Sequence, residues 1–270
     1  MDEAEAKRLL ILTGDGLEHH YVANVLSAAL PITAIVVAQE PQRRNLPAGL
    51  RSRFFFVIPR IIRMFYWQAV RDAQQRRSSF VRILGEGLTA DFQRGDLVRR
   101  VQGINSEQTR ELLTKLRPDL ILVYGTAIVA NRILELATDL VLNMHTGISP
   151  HYRGADTWFW PIINRELHMV GATVHQCTAA VDGGPILKTA RALLKPSRNM
   201  YDLFAWSVVA GAEIYVEAVC DYLAGSLHSQ PQNLSIGREY RSAERTVARD
   251  LAARRLIRGG IVDGYARTKA

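Results

Sequence analysis

Residues 141–187 read VLNMHTGISPHYRGADTWFWPIINRELHMVGATVHQCTAAVDGGPIL. The apolar run at 140–142 has the character of a buried strand nearing its end. Asn143 and His145 follow, one residue apart. Side chains two apart in a strand share a face. Both should therefore emerge together at the carboxyl end of a strand, where open α/β sheets hold their ligands. Asp182, followed by Gly183 and Gly184, closes the stretch. An amide, an imidazole and a carboxylate suit acyl-type transfer. Asn143 can hold a developing oxyanion, His145 can carry a proton, and Asp182 can orient the imidazole or collect that proton. Each piece also has a plainer reading: Asn-x-His alone is weak evidence, and Asp-Gly-Gly is a common turn. His145, His151 and His175 raise the question of zinc. Neither HExxH nor paired cysteine ligands accompany them, so no metal is expected.

The flanking chain alternates strand and helix. Residues 8–13 (RLLILT) form a short apolar run that ends at Gly14-Asp-Gly16, a first buried strand and its turn. Residues 19–30 have helical spacing, and 32–38 are rich in β-branched residues and read as a second strand. The opening lacks G-x-G-x-x-G, so no dinucleotide site is read there. Gly14 and Gly16 remain candidates to cradle a substrate phosphate, while His19 and His20 read as helix-surface or partly packed residues. Ser106 before Glu107 looks like a helix N-cap, and Pro118 stops that helix. Residues 119–124 read as the next buried strand, Gly125-Thr126 as its turn and 133–137 as a short helix. The alternation predicts an α/β fold with a mostly parallel central sheet flanked by helices. Beyond His145 the spacing predicts a loop at 146–154, core aromatics opening a helix at Trp158–Trp160, and a strand at 171–174. A loop at 176–184 then carries Asp182, and a strand resumes at Ile186. Residues 201–223 have a long helical pattern ending at Gly225. The tail from His228, itself read as a surface residue, is polar and arginine-rich, with a helix expected at 243–256.

A chain of 270 residues with 48% hydrophobic and 22% charged side chains can bury a sizeable core. No apolar run approaches the roughly 18–20 residues needed to span a bilayer, and the acidic start MDEAEAKR does not read as a signal peptide. Cys177 and Cys220 make no disulfide framework, so a cytoplasmic chain is the simplest reading. The net charge is +8, carried mostly by arginine, and favours anionic partners. Residues 41–77 concentrate it: Arg43, Arg44, Arg51, Arg53, Arg60, Arg63, Arg71, Arg76 and Arg77 stand against Asp72 alone. From Pro59 the apolar residues have helical spacing. This basic helical insertion reads as a solvated helix face, a clamp for an anionic substrate or a peripheral membrane contact. No nucleic-acid module is visible, so no nucleic acid is expected.

Several motifs in order resemble the folate-dependent formyltransferases, the family of the glycinamide ribonucleotide, methionyl-tRNA and sugar N-formyltransferases. They are Pro118-Asp-Leu-Ile-Leu-Val-Tyr-Gly125, Asn143-Met-His145, Ser149-Pro-His-Tyr-Arg-Gly154, and Gly171-Ala-Thr-Val-His175 running into Asp182-Gly-Gly. The resemblance covers residues 100–190 well and the first 40 loosely. It implies a Rossmann-like formyltransferase domain over 1–196, with 197–270 as a C-terminal helical extension. It implies 10-formyltetrahydrofolate as donor, near Tyr124, Gly125, Val174, His175, Val181 and Gly184. It implies an amine acceptor near Gly14, Ser149, Tyr152, Arg153 and Gly154. Catalysis would fall to Asn143, Asp182 and a protonated His145. A phosphate-bearing acceptor, most simply a nucleotide-linked amino sugar, fits the positive charge. The tail is too short and too poor in strand signals for the β-barrel appended in methionyl-tRNA formyltransferases. A formyltetrahydrofolate hydrolase is the alternative within the family, although its N-terminal regulatory domain is not in evidence. An idle binding module would have no need of all three polar residues. The sequence leaves the oligomeric state open, a homodimer included.

Overall fold

The computed structural model describes residues 6–39, 65–68, 70–178 and 180–268. The first half runs β1 (Leu9–Thr13), α1 (Leu17–Ala29), β2 (Ile32–Ala38), α2 (Asp72–Leu84), β3 (Val98–Val101), α3 (Glu107–Leu116) and β4 (Leu120–Tyr124). The second half runs β5 (Leu140–His145), β6 (Tyr152–Gly154), β7 (Gly171–Gln176), β8 (Ile186–Arg191), α4 (Met200–Leu223), β9 (Arg238–Tyr240), α5 (Val247–Arg258) and α6 (Ile261–Arg267). Short helical turns lie at Glu86–Thr89, Asn131–Leu134 and Trp160–Ile163.

Seven strands form one sheet in the order β3-β2-β1-β4-β5-β7-β8. The pairs from β3 to β5 are parallel, and β7 runs antiparallel to both neighbours. β1 and β4 are buried at every residue, as central strands covered on both faces must be. Alternation sends Leu9 and Ile11 into one core with Leu26, Phe80, Val208 and Tyr215, and Leu10 and Leu12 into the other with Leu113 and Ile133. Each such fully buried aliphatic side chain contributes about 1.5–3 kcal/mol of transfer free energy. The chain winds outward from β1 to β2 and β3, then crosses back to β4. The sheet's topological switch point therefore lies between β1 and β4, where doubly wound folds open their crevice.

Most boundaries expected from the sequence agree with these elements, and the departures have local causes. Ser106 caps α3, its hydroxyl accepting from Thr109 N. The helix expected at 133–137 is the shorter turn Asn131–Leu134. The helix expected at 243–256 begins at Val247, because Ser242–Glu244 closes first as a 3-10 turn and Thr246 then caps α5. α4 is long and apolar enough to cross a bilayer, yet 67% of its most apolar window is buried. Asp202, Glu213, Glu217 and Asp221 break it up in sequence. α4 is the helix that packs on β5, β7 and β8. Gly211 permits the approach: a Cβ there would lie 2.7 Å from the Met144 sulfur and 2.9 Å from Ala172 Cβ. The tail is not purely helical. β9 pairs in parallel with β6, tying residues 238–240 to the loop after His145. Of the arginine-rich stretch, residues 40–64 lie outside the described residues, and with them most of the expected insertion. Arg76 is described: it pairs with Glu18 and lies over the rings of Phe80 and Phe204.

Candidate active site

Asn143 and His145 lie within β5 rather than past its end, one strand over from the switch point. Met144 between them turns to the opposite face, into the core under α4. Across the antiparallel pair, Asn143 faces His175 and His145 faces Thr173, so period two brings His175 onto the polar face as well. His145 Nε2 lies 3.1 Å from the Tyr152 carbonyl. A carbonyl can only accept, so Nε2 carries the hydrogen and Nδ1 is left to face Asp182 Oδ2 at 3.4 Å. Asp182 sits at a turn with φ +47° and reaches four partners. Gly154 N donates to its Oδ2 at 2.8 Å, and Oδ1 lies 3.4 Å from His175 Nε2 and 3.5 Å from Asn143 Nδ2. His175 Nδ1 donates to the Gln176 carbonyl at 2.8 Å, which turns Nε2 towards the Asn143 amide at 3.2 Å.

Burial and charge oppose one another at this cluster. Burial alone would raise the Asp182 carboxyl, but His145, His175 and the Gly154 N–H outweigh it and hold the group well below the usual carboxylate range. His145 goes the other way: its burial pushes the imidazole below its ordinary value, against the pull of Asp182. Asp182 is therefore ionised, while burial disfavours the charged form of His145 that the resemblance implies.

These residues line a cleft of about 740 Å³. Loops after β4 and β7 contribute an apolar portion that includes Ala127, Ile128, Val129, Cys177 and Val181. Glu18, His19 and Phe204 come from α1 and α4, and Gly154, Ala155 and Glu239–Ser242 from the β6·β9 pair and the turn after it. Burial pushes the Cys177 thiol up to about 12 and the Tyr124 phenol well above its ordinary value, so both stay uncharged.

The structure brings Asn143, His145 and Asp182 together. Of the residues expected near the donor, Tyr124, Gly125, His175 and Val181 line the cleft. Val174 does not: alternation along β7 turns it into the core. Gly184 stands outside the lining, its carbonyl accepting from Gln232 Nε2. Of those expected near the acceptor, only Gly154 lines the cleft. Gly14 packs behind His19. Ser149 is buried, with its N–H donating to Thr173 Oγ1 at 3.1 Å. Tyr152 donates to Glu166 and stacks on Tyr240, and Arg153 donates to the carbonyls of Pro150 and Leu234. The polar groups of these last two brace the loop from within. His20 is packed, bonded to Thr89 O and Asp15, but His19 faces the cleft. Glu18, His19, Phe204, Tyr240 and Arg241 belong to no motif in the sequence. The one usable sign was Gly14-Asp-Gly16 ending β1, since residues after that strand reach the switch point.

Among the described residues, no group of three or more His, Cys, Asp and Glu side chains is arranged to hold a metal ion. In sequence the chain is similar to a methionyl-tRNA formyltransferase of Chlorobium chlorochromatii, 27% identical over 139 residues, which are 52% of this chain and 44% of that one. The chain thus aligns with under half the length of that relative. In fold it is similar to a 4-N formyltransferase from Francisella tularensis, with TM-score 0.57, 14% identity and coverage of 94% of this chain and 87% of that one. It is also similar to a sugar 3N-formyl transferase solved in the presence of dTDP and 5-N-formyl-THF, with TM-score 0.52, 13% identity and coverage of 93% and 79%. The family model described as formyl transferase matches residues 79–219, just over half of the chain, which therefore belongs to that family.

Proposed function

We propose that the protein moves a formyl group from 10-formyltetrahydrofolate to the primary amine of a nucleotide-linked amino sugar. The observation that carries this reading is the placement of Asn143, His145 and Asp182 on one face of a cleft of about 740 Å³. The lining fits the donor: an apolar portion from Ala127 to Val129 suits a flat ring, and the amide, imidazole and carboxylate supply polar partners at its reacting end. When bound, 10-formyltetrahydrofolate supplies an activated formyl carbon, and tetrahydrofolate leaves with the proton that the acceptor amine gives up.

The chain's own groups have separable tasks. Asn143 offers an amide N–H to the charge that develops on the formyl oxygen. Neutral His145 presents Nδ1 as the proton acceptor for the attacking amine, becoming a cation beside that same oxygen. Asp182, already ionised, stabilises the cation as it forms, and the Gly154 N–H holds its carboxylate in place. The site thus gains its positive charge as the oxyanion appears. The 3.4 Å separations leave room for that tightening.

The likeness in fold to the sugar 3N-formyl transferase, over 93% of this chain, supports a sugar acceptor. The test is to incubate the full chain with 10-formyltetrahydrofolate and a panel of nucleotide-linked amino sugars, glycinamide ribonucleotide and methionyl-tRNA, reading products by mass spectrometry. The expected result is formylation of an amino sugar. Formate released at the same rate with or without any amine would make the protein a hydrolase instead.

A further inference from the structure

Glu239, Tyr240, Arg241 and Ser242 lie beyond residue 219, where the family match ends, yet all four line the cleft. β9 holds them there. Tyr240 stacks on Trp160 at 4.5 Å and on Tyr152 at 5.7 Å, and the Arg238 guanidinium lies over its ring at 5.0 Å. Arg238 and Tyr240 thus occupy one side of the strand, and alternation puts Glu239 and Arg241 on the other. The backbone of Arg241 is fixed at both ends: its N–H donates to Glu244 Oε1 and its carbonyl accepts from Glu244 N, each at 2.9 Å.

The charges of the cleft then sort themselves. Glu18 is paired with Arg76, and Asp182 is held between two imidazoles. Among the described residues, Glu239 and Arg241 have no ion-pair partner, and Arg241 is the one arginine that lines the cleft. We propose that Arg241 binds the phosphate group of the acceptor. The inference rests on the reading of the cleft as that of an N-formyltransferase with a nucleotide-linked acceptor. A planar guanidinium meets two phosphate oxygens at once and keeps its charge at any working pH. The neighbouring contacts place such an anion relative to the chemistry. Ala155 N donates to the Tyr240 carbonyl at 2.8 Å, and Gly154 N, one residue earlier, donates to Asp182. A phosphate seated on Arg241 is therefore referenced to the carboxylate that orients His145. Residues 239–242 are in this account the specificity element for the acceptor, supplied from outside the family's shared segment.

The test is calorimetric titration of the full chain with uridine diphosphate and thymidine diphosphate, with 5-formyltetrahydrofolate titrated in parallel. Wild type should bind at least one diphosphate, with affinity that falls as salt rises. Arg241→Gln should weaken that binding about tenfold or more, Arg241→Lys should recover part of it, and Glu239→Gln should tighten it because a like charge is removed. Folate binding should be the same in all four proteins. The proposal is overturned if wild type binds neither diphosphate, if Arg241→Gln binds as wild type does, or if it loses folate and diphosphate together. Formylation of an amine with diphosphate binding indifferent to Arg241 removes this inference alone. Arg241-dependent diphosphate binding without formyl transfer to any amine removes the catalytic reading alone.

Discussion

At the scale of single residues, the cleft sets burial against charge. Asp182 keeps its charge because two imidazoles and a backbone N–H face it, and His145 gives up its own because its ring is buried. His19 belongs with His145: burial is the main cause that lowers it, Glu18 and Arg76 act in opposite directions, and its Nδ1 is buried without a hydrogen-bond partner. A histidine held neutral in this way leaves a mark on stability. The unfolded imidazole titrates near 6.5, and the folded one binds its proton less tightly. Its stabilising contribution is therefore complete above about pH 6.5 and is lost as pH falls towards the lowered folded value. Asp182 has a depressed carboxyl, so its contribution is lost only at lower pH, below the ordinary carboxylate value of about 3.9. Urea-unfolding free energy should thus decline from about pH 7 to 5 in wild type and decline less steeply in His19→Gln. Parallel profiles would mean that His19 is not held neutral in the folded protein.

At the scale of elements, the small β6·β9 sheet joins the tail to the loop after His145, and Gly154 is its tightest point. Gly154 has φ +88°, and a Cβ there would lie 2.2 Å from the Tyr240 carbonyl. Gly154→Ala should cost about 2 kcal/mol or more, from the strained backbone and the displaced strand together. It should also slow turnover, because the same residue's N–H holds Asp182. Thermal melting and kinetics on one preparation check both, and an Ala variant with wild-type melting temperature and rate would contradict the geometry. Six of the seven strands of the main sheet were legible because their signal is local: β2 was read at its true bounds from its β-branched residues, and α3 from Ser106 and Pro118, whereas β3, Val-Arg-Arg-Val, was not read. β9 was not legible, since three residues, Arg-Glu-Tyr, carry no period and owe their conformation to a partner over eighty residues away. The triad was legible through motifs, but its setting was not. Ser149, Tyr152 and Arg153 sit in a motif yet brace the loop, whereas His19 and Arg241 sit in none and face the cleft.

At the scale of the molecule, the sheet supplies a rigid floor and the tail completes the walls. α4 is fixed under β5 and β7 by the contact at Gly211 and by the Tyr215 hydroxyl, which donates to the Leu142 carbonyl at 2.9 Å. That packing reaches the strand residues beside Asn143. Catalytic groups on a packed strand are held more closely than groups on a free loop, which suits a reaction that depends on a placed oxyanion donor. The central claim is that Asn143, His145 and Asp182 carry formyl transfer. Its most direct measurement is single-turnover transfer from 10-formyltetrahydrofolate to the acceptor amine, in wild type and in Asn143→Ala, His145→Ala and Asp182→Asn, with folding of each verified by circular dichroism. The account predicts a loss of about 100-fold or more in each variant, the usual worth of one oxyanion donor or proton carrier. Three folded variants that transfer formyl at the wild-type rate would contradict it.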